Sequence, residues 1–140
     1  MITVKNVMSA VAAALSSEFE GYEIYLDDVR QGLSPPCFTV TCGSSMEQFL
    51  GKRYRREFDV RVHFFPGGDN EHIGCADAEE RLFSALRYIE ADGDLLRGEN
   101  MSRNFSDGVL TFNVSFGTYL LDTDRAEAMG DLESRFGGAF

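Results

Sequence analysis

Four side chains in this sequence have the chemistry to hold a zinc ion: Cys37, Cys42, His72 and Cys75. Thiolates and imidazoles are the ligands zinc prefers. The spacing speaks against the site. Cys37 and Cys42 are five apart in a segment that reads as a strand, so their side chains leave opposite faces. Cys75 falls on the apolar stripe of a helix, where a thiol packs as a small hydrophobe. Nucleophilic catalysis is no better supplied. His63 sits on the outward face of a strand and His72 at a turn or helix start, and neither belongs to a recognisable Ser-His or Cys-His motif. The acidic pairs Asp27-Asp28, Asp92/Asp94 and Asp122/Asp124 all border turns, where Asp hydrogen-bonds the local backbone. None continues into a calcium loop, and neither a P-loop nor a dinucleotide fingerprint occurs. We expect no catalytic residue, no metal and no cofactor.

The basic cluster Lys52-Arg53-Tyr54-Arg55-Arg56, with its aromatic residue, has the look of a nucleic-acid patch. In an extended strand, however, it divides between two faces. The whole chain carries 13 basic and 23 acidic residues, a net charge of −10. That balance repels nucleic acid and anionic membrane. Ion pairs with acidic residues of the same or a neighbouring subunit are the expected role of these cations. The three cysteines cannot all pair with one another, and no run approaches the roughly 20 apolar residues of a membrane span. The N-terminal run VMSAVAAAL suits a helix face better than a signal-peptide core. A soluble, intracellular protein with reduced thiols is the expectation.

The elements that must position these residues are organised around Arg53–Phe65. Tyr54, Phe58, Val60, Val62 and Phe64 alternate there with polar residues, broken only by Arg56. A period of two sustained this long marks a strand with one face on the core. Leu110, Phe112, Val114, Phe116 and Leu120 repeat the pattern, so a mainly antiparallel sheet covered on one face is expected. Thr3 is placed to cap a helix running to about Phe19, with Val4, Val7, Val11 and Leu15 inward. Short strands follow at 22–26 and 37–42, separated by a connector at 29–36. The segment 43–52 is ambiguous: its Gly and Ser residues suggest a loop, yet Met46, Phe49 and Leu50 need cover, from the core or from a neighbour.

A second helix is expected from about Glu71 to Ile89, on a stripe of Cys75, Ala78, Leu82, Leu86 and Ile89. Asn70 could cap it, or Asp77 and Glu80 could form a capping box. After a short strand at 95–97, segments 101–106 and 109–121 form a hairpin about Asp107-Gly108. The order is α-β-β-β-α-β-β: one α+β domain over 1–121, then a tail over 122–140 that is a short docked helix or a frayed end.

Taken together, IYLDDVRQG followed by PPCF, then GKRYRREFDVRVHFFP, RYIEADGDLLRG and DGVLTFNVSF resemble the small tail-terminator, or tail-completion, proteins of phages and prophages of Gram-positive hosts. The likeness rests on the order and spacing of these pieces. It implies an α+β subunit of a hexameric ring that caps the tail tube, stops its growth and meets the head connector. The implied partners are other copies of the chain, the tube protein and the neck; DNA passes through the ring without specific binding. The implied location is the head-proximal end of the tail, after assembly in the host cytoplasm. No catalytic residue comes with the family. Met46, Phe49, Leu50, Arg53 and Arg55 are the candidate subunit-interface residues. Two other readings stay open: a head-completion or connector adaptor, and a small ligand-binding module or enzyme.

Overall fold

A computed structural model describes residues 2–26, 32–68 and 71–121, with backbone alone at 48–50, 71–72 and 120–121. The tail at 122–140 and the Asn70 cap lie outside the described residues. Two helices and six strands follow in the order α1 (Val4–Glu18), β1 (Glu23–Leu26), β2 (Cys37–Leu50), β3 (Arg53–Phe65), α2 (Glu71–Ala85), β4 (Tyr88–Ala91), β5 (Asp94–Ser106) and β6 (Val109–Leu121). The α+β class and the two helices stand. The sheet runs β1-β2-β3-β6-β5-β4 and is mixed, because β1 pairs parallel with β2 while the other neighbours are antiparallel.

The alternation of β3 and β6 becomes the core. Phe58, Val60, Val62 and Phe64 lie beside Phe116, Val114, Phe112 and Leu110, all buried. Val7, Val11 and Leu15 of α1 and Cys75, Ala78 and Leu82 of α2 close this face. Thr3 caps α1 in a reciprocal box with Asn6, its Oγ1 accepting from the Asn6 N–H at 3.1 Å. Arg81 fastens the helices to each other. Its Nε donates to Glu18 Oε2 at 3.0 Å, and its guanidinium lies 4.3 Å from the Phe19 ring centre.

Two expectations are corrected. The second helix stops at Ala85, and Tyr88–Ala91 is an eighth element, β4. Ile89 and Ala91 fit a period of two as well as the helical stripe, so the sequence pattern was double there. The tight Asp92-Gly93 turn then decides for a strand: both residues have positive φ, as a two-residue hairpin requires. The 95–97 and 101–106 segments are one strand, β5, kinked by a bulge between Glu99 and Ser102 with Asn100 at φ 53°. The ambiguous segment 43–52 is the second half of β2 and its turn into β3. Gly43, Ser44 and Ser45 are poor strand formers, but an unbroken ladder to Asp59, Phe58 and Glu57 holds them extended.

Lengths explain what remains uncovered. A helix of 15 residues spans about 22 Å at 1.5 Å per residue, and a strand of 13 about 44 Å at 3.4 Å. Neither helix can cover a long strand from end to end, and the buried core pairs of β3 and β6 stop at Phe58 and Phe116. Ile2, just before α1, receives a hydrogen bond from Arg56 Nη1 at 3.0 Å, which marks where helical cover ends. Beyond it, the ends of β2, β3 and β6 run on past the buried core of the described residues.

Candidate functional site

The residues singled out in the sequence separate in space. Cys37 is buried on the sheet face away from the helices, and Cys42 is half-buried on the helix side, so the pair cannot converge. Burial pushes the Cys42 thiol up to about 11 and raises that of Cys37 as well. Cys75 is buried on α2. Among the described residues no three His, Cys, Asp or Glu side chains gather as a metal site. His63 lies on the outward face with its Nδ1 3.4 Å from Thr39 Oγ1; the side chain of His72 lies outside the described residues.

The outward face of β2, β3 and β6 is a polar lattice whose members partner one another. Ser115 Oγ donates to Asp59 at 3.0 Å and Arg61 Nε to Asn113 Oδ1 at 3.2 Å. Thr41, Gly43 and these four residues line a shallow, open groove of about 590 Å³. Arg55 belongs to the same face. Its Nη1 donates to Glu57 at 3.0 Å, its Nη2 lies 3.6 Å from Glu99, and the hydrogen bond to Glu57 raises its pKa further. The guanidinium rests where a Cβ of Gly117 would stand. Arg55, named as an interface candidate, thus spends its charge within the chain.

Arg56, the residue that broke the alternation of β3, points to the helix side. It stacks on Phe58 at 4.8 Å and bonds Ile2 O and Ser44, closing the end of the core. The break in pattern is therefore where the sheet leaves its helices. Met46 pairs with Arg56 at that limit and is 42% exposed. Arg53 is exposed at the start of β3, beside Leu50 and Leu121 in the ladder; the side chains of Phe49 and Leu50 lie outside the described residues. All five candidates lie at this strand end, since Arg55 pairs there with Glu47 and Tyr119. Among the exposed residues that the sequence pattern did not single out are Tyr88 on β4 and Leu95 on β5. Each alternates with buried neighbours in its strand or stands at a strand end, a signal readable only once β4 and β5 are placed.

The described residues thus offer a polar lattice whose members partner one another and a partly apolar strand end. A family model described as phage tail terminator protein matches residues 6–128, and the chain belongs to that family. It is a structural component of a phage tail, acting in virion assembly. No curated protein matches it in sequence. One solved chain is 17% identical, with 85% of this chain and 95% of that one covered at a TM-score of 0.43, a likeness too low to carry an argument. No helix among the described residues is long and apolar enough to cross a membrane.

Proposed function

We propose that this protein ends the growth of a phage tail tube by forming a ring, a hexamer, on its last layer, and that the ring's other side receives the head connector. The carrying observation is membership of the tail terminator family over residues 6–128. The geometry supports the reading. The ends of β2, β3 and β6 run about 17 Å past the last buried pair, Phe58 and Phe116, and offer Met46 and Arg53 for contact, with Phe49 and Leu50 in the same region. A net charge of −10 suits a ring through which DNA slides without sticking. The partners are further copies of the chain, the tube protein and the neck. Neither a metal nor a cofactor has a part in such work.

Deletion of the gene is the test. Intact heads beside unattached tails of irregular, excessive length are the expected result in electron micrographs of lysates. Normal-length tails joined to heads in the deletion strain would reject the terminator role for this chain.

A further inference from the structure

We propose that β2 of one copy pairs antiparallel with β5 of the next, Thr41–Met46 against Met101–Ser106, and that this ladder is the seam between subunits. The proposal rests on the ring reading above and gives it a contact.

It starts from two incomplete edges. β1 covers β2 only from Cys37 to Val40, and β4 covers β5 only from Asp94 to Arg97. Among the described residues, β2 beyond Val40 and β5 from Met101 to Ser106 have a strand on one side only. An open edge of such length is a template for a further strand. The β2 edge carries little to prevent it: Thr41–Leu50 contains a single charge, Glu47, and no proline.

The two edges fit each other in polarity and position. From β2 through β3 and β6 to β5 the direction reverses three times. A neighbour's β5 laid outside β2 in the same orientation therefore runs antiparallel to it, the more stable pairing. The covered parts also lie at opposite ends. β1 sits at the Phe65 end of β3, whereas β4 sits towards the Leu121 end of β6. Each short strand ends where the neighbour's long one can begin, as in a lapped joint.

Side-chain direction selects the register. Even-numbered residues of β2 face the helices, and so do Met101, Arg103 and Phe105 of β5, since Arg103 and Phe105 lie beside core Phe112 and Leu110. Matching the faces, as the pleat demands, sets Met46 opposite Met101, Cys42 opposite Phe105 and Ser45 opposite Ser102. Apolar then meets apolar on the helix side, and half-exposed Met46 gains cover. A shift by two residues either way would set Arg103 against Met46 or Cys42 and lose both matches. The joint is head-to-tail, so it closes into a ring when its rotation divides the circle.

Ser45→Cys with Ser102→Cys, in a Cys42→Ala background, tests the seam. Within one copy β2 and β5 are three strand spacings apart, about 14 Å, beyond the reach of a disulfide. Oxidation of the assembled protein is expected to yield covalent multimers on a non-reducing gel, lost with reductant. Ser45→Cys with Ser106→Cys, displaced along the edge, should yield none. In the unaltered protein, amide exchange at 41–46 and 101–106 is expected to slow at least tenfold on assembly. An assembled protein with neither the specific cross-link nor the added protection overturns the seam and leaves the ring reading intact. A chain that stays monomeric by light scattering, alone and with tail tubes, overturns the ring reading and the seam with it.

Discussion

Val60 and Asp59 are adjacent in β3 and face opposite ways: Val60 is 2% exposed, while Asp59 accepts from Ser115 on the open face. Val60→Asp places an unpaired carboxylate in the core and is expected to cost on the order of 3 kcal/mol. Asp59→Asn keeps an acceptor for Ser115 and should stay within about 0.5 kcal/mol. Urea midpoints compare the two, and equal midpoints would invert the facing of the strand. Cys42 adds a pH dependence. Its thiol is raised from 9.0 to about 11 by burial first, then by the charge of Asp59. The unfolded chain thus loses this proton more readily than the folded one. The contribution to stability is full below pH 9 and is lost as pH rises towards 11. Melting temperatures of Cys42→Ala should fall less steeply than those of the unaltered protein across that window.

At the scale of elements, the tightest approach is between β5 and the end of α2. Gly98 N–H donates to Arg87 O at 2.7 Å, and a Cβ on Gly98 would collide with Leu86 O and lie 2.8 Å from Met101 Cε and 3.0 Å from Val114 Cγ2. Backbone cannot turn aside as a side chain does, so Gly98→Ala is expected to cost about 1–3 kcal/mol. Gly43→Ala, with open space at its Cβ, is the control and should be nearly neutral in the same denaturant titration. Nothing in the local sequence RGEN marks Gly98 as crowded; the crowding exists only because the turn after α2 is laid across β5. The same limit explains β2. Its first half reads as a strand from Phe38 and Val40, but its second half, Gly-Ser-Ser, is extended because β3 pairs with it.

For the whole molecule, the partly apolar strand end is expected to serve assembly and not folding. Phe49 and Leu50 belong to the part of β2 beyond the contact of Arg56 with Ile2, and Met46 pairs with Arg56 at its border. Their joint replacement by Ser should leave the circular dichroism spectrum and the melting temperature near those of the unaltered chain. Ring formation should weaken by about tenfold or more, as light scattering over a dilution series would register. A variant that unfolds instead would place these residues in the core.

The sequence by itself determined the two amphipathic helices, the long strands β3 and β6 and the facing of their residues, because a period of two or 3.6 is a local record of which side is buried. It also carried the Thr3 cap, the Asp107-Gly108 turn and, through the order of its segments, the tail terminator family. Only the tertiary structure decided that Tyr88–Ala91 leaves the helix, that β2 runs on to Leu50 and that Arg55 is neutralised within the chain by Glu57 and Glu99. It alone revealed the unequal lengths of cover strand and long strand that, among the described residues, leave part of β2 and of β5 with a strand on one side only. These features depend on partners distant in the chain. A strand edge is closed or open according to what lies beside it, and no local pattern of residues encodes that neighbour.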